Sequence, residues 1–235
     1  MSELTFYTNP QSRGQIVRWM LEEVGQPYDT KILTYGGTLQ GDAYKAINPM
    51  QKIPAIVHKG KVVTEVAAIC LYLADAFPDA GLAPAPMDRA DYYRWTMFAA
   101  GPIEAAFTNK SAGWEPEAGK QAMFGYGTFD RAVDTLEGAV TGKRFIAGDK
   151  FSAADIVVGS QIGFMMMFGL LEPRPAFAAY VASVTDRDSY RRGKQIDEAA
   201  GTDMMGKTAI MGALTLYLDF INMFQFLLSF MGSRR

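Results

Sequence analysis

Cysteine and histidine are nearly missing from these 235 residues, with one of each, Cys70 and His58. A single cysteine excludes an internal disulfide framework, a zinc cluster and a Cys-x-x-Cys redox pair. No second ligand type lies near His58 in sequence, so no metal site is expected. A chain so poor in cysteine suits a reducing compartment, and a cytoplasmic location is expected. An excess of one charge is missing too. Lys and Arg number 23 against 25 Asp and Glu, a net charge of −2, and no basic face points to a nucleic-acid partner. The opening Met1-Ser2-Glu3-Leu4-Thr5 lacks the basic and apolar regions of a secretory leader. What the chain does have is apolar material: 49% hydrophobic residues against 20% charged. That suffices for a sizeable core and is unlike a disordered chain.

Periodicity then sets out two halves. Leu4 to Tyr7 reads as a short strand, broken by Asn9-Pro10-Gln11-Ser12-Arg13-Gly14. Ile16, Val17, Met20, Leu21 and Val24 come next at helical spacing, with Gln15, Arg18, Glu22 and Glu23 on the opposite face. Residues 27–33 read as a second strand, at the length of a parallel crossover unit. After a loop with a short helix come strand 55–58, a Lys59-Gly60 turn, strand 61–64 and a helix from Glu65. The layout is β-α-β then α-β-β-α, a thioredoxin-like α/β domain over residues 1–79. Prolines mark residues 80–87 as a linker. Beyond it strand signals stop, and residues 88–200 read as an all-helical domain. Its helices are expected at 88–109, kinked at Pro102, at 118–140, and after Phe151-Ser152-x-x-Asp155, a capping-box variant. Two shorter helices are expected at 175–184 and 186–199. Cys70, on an apolar helix face, reads as core, and His58 as a lone surface histidine.

Residues 48–65 carry the chemistry. Pro54 cannot donate to a sheet ladder, so the strand starts after it. Ile53 is held extended before it, with backbone groups free to pair with something other than the sheet. A helix start with unpaired N–H groups lies nearby, and such an end accommodates a carboxylate. A small peptide fits that description. Asn48-Pro49-x-x-Lys52-Ile53-Pro54, a hairpin, then Thr64-Glu65 resembles the glutathione site of the glutathione transferase superfamily, and the resemblance runs over about residues 3–200. It implies a cis Ile53–Pro54 bond and a residue, Ile53, that pairs backbone-to-backbone with glutathione. The implied glutathione-binding set is Gln51, Lys52, Ile53, Pro54, Glu65 and Val66. At the last of these the superfamily usually has serine. Val66 keeps the N–H and loses the hydroxyl bond, at a cost of about 1 kcal/mol.

In the serine-type members a hydroxyl at the first strand-to-helix junction activates glutathione, which points to Ser12, assisted electrostatically by Arg13. A thiol of pKa near 8.5 needs about 2.7 kcal/mol to shift two units. A hydroxyl hydrogen bond and a helix N-terminus can supply that. Taken without the resemblance, Ser12 reads as a helix cap. Tyr7 is the alternative catalytic residue, since tyrosine-type members use the first strand. Candidates for an electrophile pocket are Tyr93, Met97, Phe107, Phe164 and Phe168. Together these imply a detoxifying glutathione transferase that conjugates the glutathione thiolate to hydrophobic electrophiles. Glutathione would be co-substrate, no metal or prosthetic group is required, and the assembly would be a homodimer. A non-catalytic binding module and a glutathione-dependent isomerase or peroxidase remain alternatives on the same fold.

The tail, residues 201–235, differs in character. Residues 209–231 are almost wholly apolar and long enough to cross a bilayer. Asp219 would cost such a helix about 2.5–3.5 kcal/mol. Within about residues 204–235, Gly206 to Phe224 resembles the C-terminal end of the Bax-inhibitor family of membrane proteins. The implied element is an apolar helical tail that contacts a membrane through 209–231. A fusion of unrelated coding segments is the competing reading.

Overall fold

The computed structural model describes residues 2–172 and 174–204. Of the described residues, those up to 194 belong to one compact unit and 195–204 to a second. The first unit opens with strand β1 (Leu4–Thr8), helix α1 (Gly14–Val24) and strand β2 (Asp29–Ile32). Helix α2 (Asp42–Lys45), the hairpin β3 (Ala55–His58) and β4 (Lys61–Thr64), and helix α3 (Val66–Ala76) come next. The sheet runs β2-β1-β3-β4. β1 is parallel to β2 and antiparallel to β3, with Phe6 opposite Thr30 and Ile56. This is the expected thioredoxin-like arrangement, and its hairpin falls on the residues that the Lys59-Gly60 turn predicts.

Alternation along β1 sorts its side chains between two cores. Leu4 and Phe6 join α1 and α3 in the main core through Met20, Ile69 and Leu73. Tyr7 faces a smaller cluster made by Leu33, Leu39, Tyr44 and Ala55. Cys70 is fully buried in the main core, where desolvation pushes its thiol pKa far up. His58 departs from expectation. Only 6% exposed, it shares a 3.0 Å hydrogen bond with the Tyr72 hydroxyl and packs on the Phe77 ring. Burial, with Lys59 beside it, holds the imidazole below its ordinary pKa.

The helical half comprises α4 (Ala90–Phe98), α5 (Glu104–Ser111), α6 (Phe129–Val140), α7 (Ala153–Met167) and α8 (Pro175–Thr185). Between α4 and α5, around Pro102, the chain widens into a π-turn over Ala99–Ile103. Proline lacks the N–H for an ordinary helical bond, and the wider turn accommodates its ring. The helix expected at 118–140 starts only at Phe129. Gly119 and Gly127 hold φ of 89° and 67°, a left-handed conformation that no helix continues through. At the start of α7 the Asp155 carboxylate accepts from the Ser152 N–H at 2.9 Å, from Ile146 N–H and from the Tyr180 hydroxyl. Residues 188–204 are helical, longer than the 186–199 expected.

Helix α1 is buried on both sides, which its amphipathic pattern does not predict. Arg18 is 2% exposed, lies over the Phe6 and Tyr28 rings and donates to the hydroxyls of Tyr28 and Thr30. Glu23 accepts from Arg187 at 2.6 and 2.7 Å, from Trp19 Nε1 at 2.9 Å and from the Ser189 hydroxyl. The helical half covers this face, so polar side chains there are paired instead of solvated.

The tail reading requires correction. Residues 209–231 lie outside the described residues, and among the described residues no helix is long and apolar enough to cross a membrane.

This packing makes two outcomes testable. Burial pushes the Glu23 carboxyl up, but hydrogen bonds from Arg187, Ser189 and Trp19 outweigh it and hold its pKa below the ordinary carboxylate value. Its stabilisation is therefore complete above the unfolded value, near pH ~4.3, and is lost as pH falls through the lower folded value. Glu23→Gln should cost about 2–4 kcal/mol near neutral pH in urea unfolding, and the gap to wild type should close on acidification. A gap independent of pH would show that the carboxylate charge is not what holds this face. At Gly14 a Cβ would lie 1.9 Å from Thr8 Oγ1, and Thr8 is fully buried. Gly14→Ala should therefore destabilise by about 1–3 kcal/mol through overpacking, and a melt matching wild type would refute the close contact.

Candidate active site

The loop between β1 and α1 is built on a buried amide. Asn9 is 1% exposed. Its Nδ2 donates to the Leu33 carbonyl at 2.8 Å, and its Oδ1 accepts from Gln11 N–H at 2.9 Å. The Asn9 carbonyl in turn accepts from Ser12 N–H at 3.1 Å and from the Ser12 hydroxyl at 2.6 Å. Ser12 Oγ accepts from Gly14 N–H, the first of α1, at 3.0 Å. Arg13 occupies the N-cap position of α1 without a side-chain cap bond. Ser12 thus satisfies a helix-end N–H with a lone pair while its proton is held by Asn9.

A second loop faces the first. Asn48 Nδ2 donates to the Lys52 carbonyl at 2.8 Å, and the Tyr44 hydroxyl donates to the same oxygen at 2.6 Å. Gln51 adopts φ of 50° and the Ile53–Pro54 bond is cis. Pro54 is buried behind the loop, and the ladder with β1 begins only at Ala55, so Ile53 stays outside the sheet.

Between these loops and the helical half lies a cavity of about 1150 Å³. Ser12, Arg13, Gln51, Lys52 and Ile53 line one side, and Phe107, Phe164 and Phe168 the other. Phe164 and Phe168 stack with ring centroids 6.5 Å apart, and Phe107 meets Phe168 at 6.3 Å. Arg13 pairs with Glu104 at 2.5 Å, and Glu104 also accepts from Gln161 at 2.9 Å. Among the described residues, no Asp or Glu belongs to the lining, whereas Lys52 and Arg13 do. A polar, cation-bearing wall opposite an aromatic wall can hold an anionic polar molecule against an apolar one.

The other named residues lie elsewhere. Tyr7 packs on Tyr44 at 5.6 Å and does not line the cavity. Glu65, with φ of 66°, and Val66 sit at the start of α3, outside the lining. Tyr93 and Met97 are exposed on α4 at 44% and 47%. Tyr93 accepts there from Arg89. Lining residues that sequence reasoning missed include Tyr35, Gln40, Thr108 and Leu170. They come from loops or from a helix face with no periodic signal. Among the described residues, no group of three or more metal-ligating side chains converges.

Residues 12–76 match the family model described as glutathione S-transferase, N-terminal domain, and residues 86–183 the one for its C-terminal domain. A probable glutathione S-transferase of Nicotiana tabacum is 31% identical over 166 residues, 69% of this chain and 70% of that protein. Protein LigF of Sphingobium sp. is 52% identical over 60 residues, only 24% of this chain and 23% of its own. A glutathione transferase homologue from Sulfitobacter, solved with bound glutathione, superposes with a TM-score of 0.68 at 23% identity, covering 83% of this chain and 98% of that one. A glutathione transferase from Methylococcus capsulatus gives 0.69 at 24%, covering 83% and 99%. At such identities the solved structures speak to the fold. None of these matches supports the Bax-inhibitor resemblance of residues 204–235. The apolar helical tail, the membrane contact and the membrane association expected from it are not upheld. The two family models and the tobacco relative make this chain a member of the glutathione S-transferase family, an enzyme that takes glutathione as its co-substrate.

Proposed function

We propose that the cavity performs serine-assisted conjugation of glutathione to a hydrophobic electrophile. The observation that carries this reading is the single cavity that has Ser12 on its polar wall and Phe107, Phe164 and Phe168 on the other. Residues 1–79 then form the glutathione-binding domain, 80–87 the linker and 88–200 the substrate domain. Glutathione lies along Gln51, Lys52 and Ile53, its backbone pairing with Ile53 and its carboxylates drawn to Lys52 and to the N–H groups at Glu65 and Val66. The Ser12 hydroxyl releases the Asn9 carbonyl and donates to the thiolate. The Gly14 N–H that it accepts polarises it, so it becomes a stronger donor, and the positive end of α1 adds to the effect. The thiolate attacks the electrophilic carbon, a carbon–sulfur bond forms, and the leaving group departs with its electron pair. Arg13 is paired with Glu104, which makes it a neutralised wall of the site more than a free charge.

Conjugation to an aryl halide tests the assignment. Ser12→Ala should lower kcat/KM roughly 10–100-fold, the equivalent of one charge-assisted hydrogen bond. The pH midpoint of the rate should move up toward that of free thiol, near ~8.5, with the Kd for glutathione little changed. An unaltered rate and midpoint would remove Ser12 from the mechanism and favour Tyr7, tested by Tyr7→Phe.

A further inference from the structure

A second cavity, about 450 Å³, lies between α1, α7 and α8, with Trp19, Val181 and Tyr190 in its walls. Gln15, Phe164 and Met167 line both this cavity and the larger one, so three side chains are the partition between them. Met167 is 70% exposed, and its unbranched chain adapts to what it meets. Among the described residues, no Asp, Glu, Lys or Arg belongs to the smaller lining. Its polar atoms are partly used internally: Gln15 donates to the Pro10 carbonyl at 2.6 Å and Thr185 to the Val181 carbonyl at 2.7 Å. A charged group entering there would lose its hydration without a partner, whereas an apolar one would lose nothing.

Resting on the conjugation reading above, we infer that this cavity is a specificity site for electrophiles with an apolar extension. The reacting carbon stays in the larger cavity near Ser12. An uncharged aryl or alkyl group passes the Gln15, Phe164 and Met167 partition and seats against Trp19. A void of about 150 Å³ takes one benzene ring, so the space admits an aryl group with room to spare. The preferred substrate class is therefore an elongated, two-ring or alkyl-aryl electrophile, uncharged at its far end.

Gly163 provides the test. It lines the second cavity and not the first, and a Cβ added there meets no atom of the described residues within 4 Å. Gly163→Leu therefore starts from an unobstructed Cβ and extends into the cavity, and Ser160→Leu, on the same helix, is the second variant. Full-length protein would be assayed with benzyl chloride and its para-phenyl homologue. In both, the thiolate forms a bond to the benzylic carbon and chloride leaves with the electron pair. Wild type should favour the longer substrate, and the long-to-short ratio of kcat/KM should fall about tenfold in either variant, mainly through KM. Binding of the two corresponding alcohols, followed by tryptophan fluorescence, should show the same loss and needs no turnover. A ratio and a binding preference unchanged by both variants would overturn the site. If neither chloride reacts yet the binding preference disappears in the variants, the conjugation reading fails and the site stands.

Discussion

The carboxamide of Asn9 holds the geometry on which the site depends. It is almost fully buried, and both ends are committed, one to the Leu33 carbonyl and one to Gln11 N–H. An unmade bond at such a group costs about 1–3 kcal/mol, so the turn has little freedom to relax. The carbonyl of the same residue receives both the N–H and the hydroxyl of Ser12. One residue thus ties the end of β1 to the end of β2 and sets the position of the hydroxyl. This also changes how capping and catalysis compete. The Gly14 N–H takes a lone pair of Ser12, and a hydroxyl has two. The proton is the scarce item, and its rival partner is the Asn9 carbonyl, not the helix.

Everything on the far side of the cavity depends on how the helical half seats on α1. Trp19 meets Phe151 and Tyr190, while Glu23 gathers Arg187 and Ser189. Those contacts fix the angle at which the end of α7, with Phe164, reaches the loop that carries Ser12. The π-turn before Glu104 contributes as well. One extra residue in a turn rotates the downstream helix by about a quarter turn or more relative to a continuous α-helix. That rotation places Glu104 within reach of both Arg13 and Gln161. A local irregularity caused by proline therefore ends as a polar link between the two walls.

Much of this is legible in the chain itself, and the limits are physical. The hairpin is readable because Lys59-Gly60 separates two short β-forming runs, and α1 because five apolar residues recur on one face. Arg18 and Glu23 are misread because periodicity reports only the face turned to the nearest core: Arg18 is taken up by Tyr28 and Thr30, and Glu23 by Arg187, more than 150 positions away. His58 is misread because its lysine neighbours alternate outward while it points in, the ordinary consequence of strand geometry. The 118–128 stretch carries Gly119, Gly125 and Gly127, which already count against a helix, and Gly119 and Gly127 take the positive φ that stops it. For the site, the proline-marked loop is enough to single out Gln51, Lys52 and Ile53. Tyr93 and Met97 qualify in sequence only as aromatic or soft residues on a helix, and the face that would distinguish them from Phe107 depends on the π-turn.

Charge sets the remaining constraint on the cavity. Glutathione carries two carboxylates against one ammonium, so the polar wall has to attract an anion in a protein of net charge −2. Arg13 contributes little field at a distance because Glu104 lies against it. In the proposed binding mode the task falls to Lys52, which is exposed, and beyond about 8–10 Å an exposed charge is screened at ordinary ionic strength. Long-range steering is therefore weak, and in the proposed binding mode selection for glutathione would rest on contact: the amides of Gln51 and its neighbours, the backbone of Ile53 and the N–H groups at the start of α3. Val66 removes a hydroxyl from that last position but leaves its N–H. In the proposed binding mode the loss falls on one bond among several short-range ones. Such a wall favours a molecule with the right spacing of carboxylate, peptide and thiol over one that is merely anionic, and leaves discrimination between electrophiles to the apolar wall opposite.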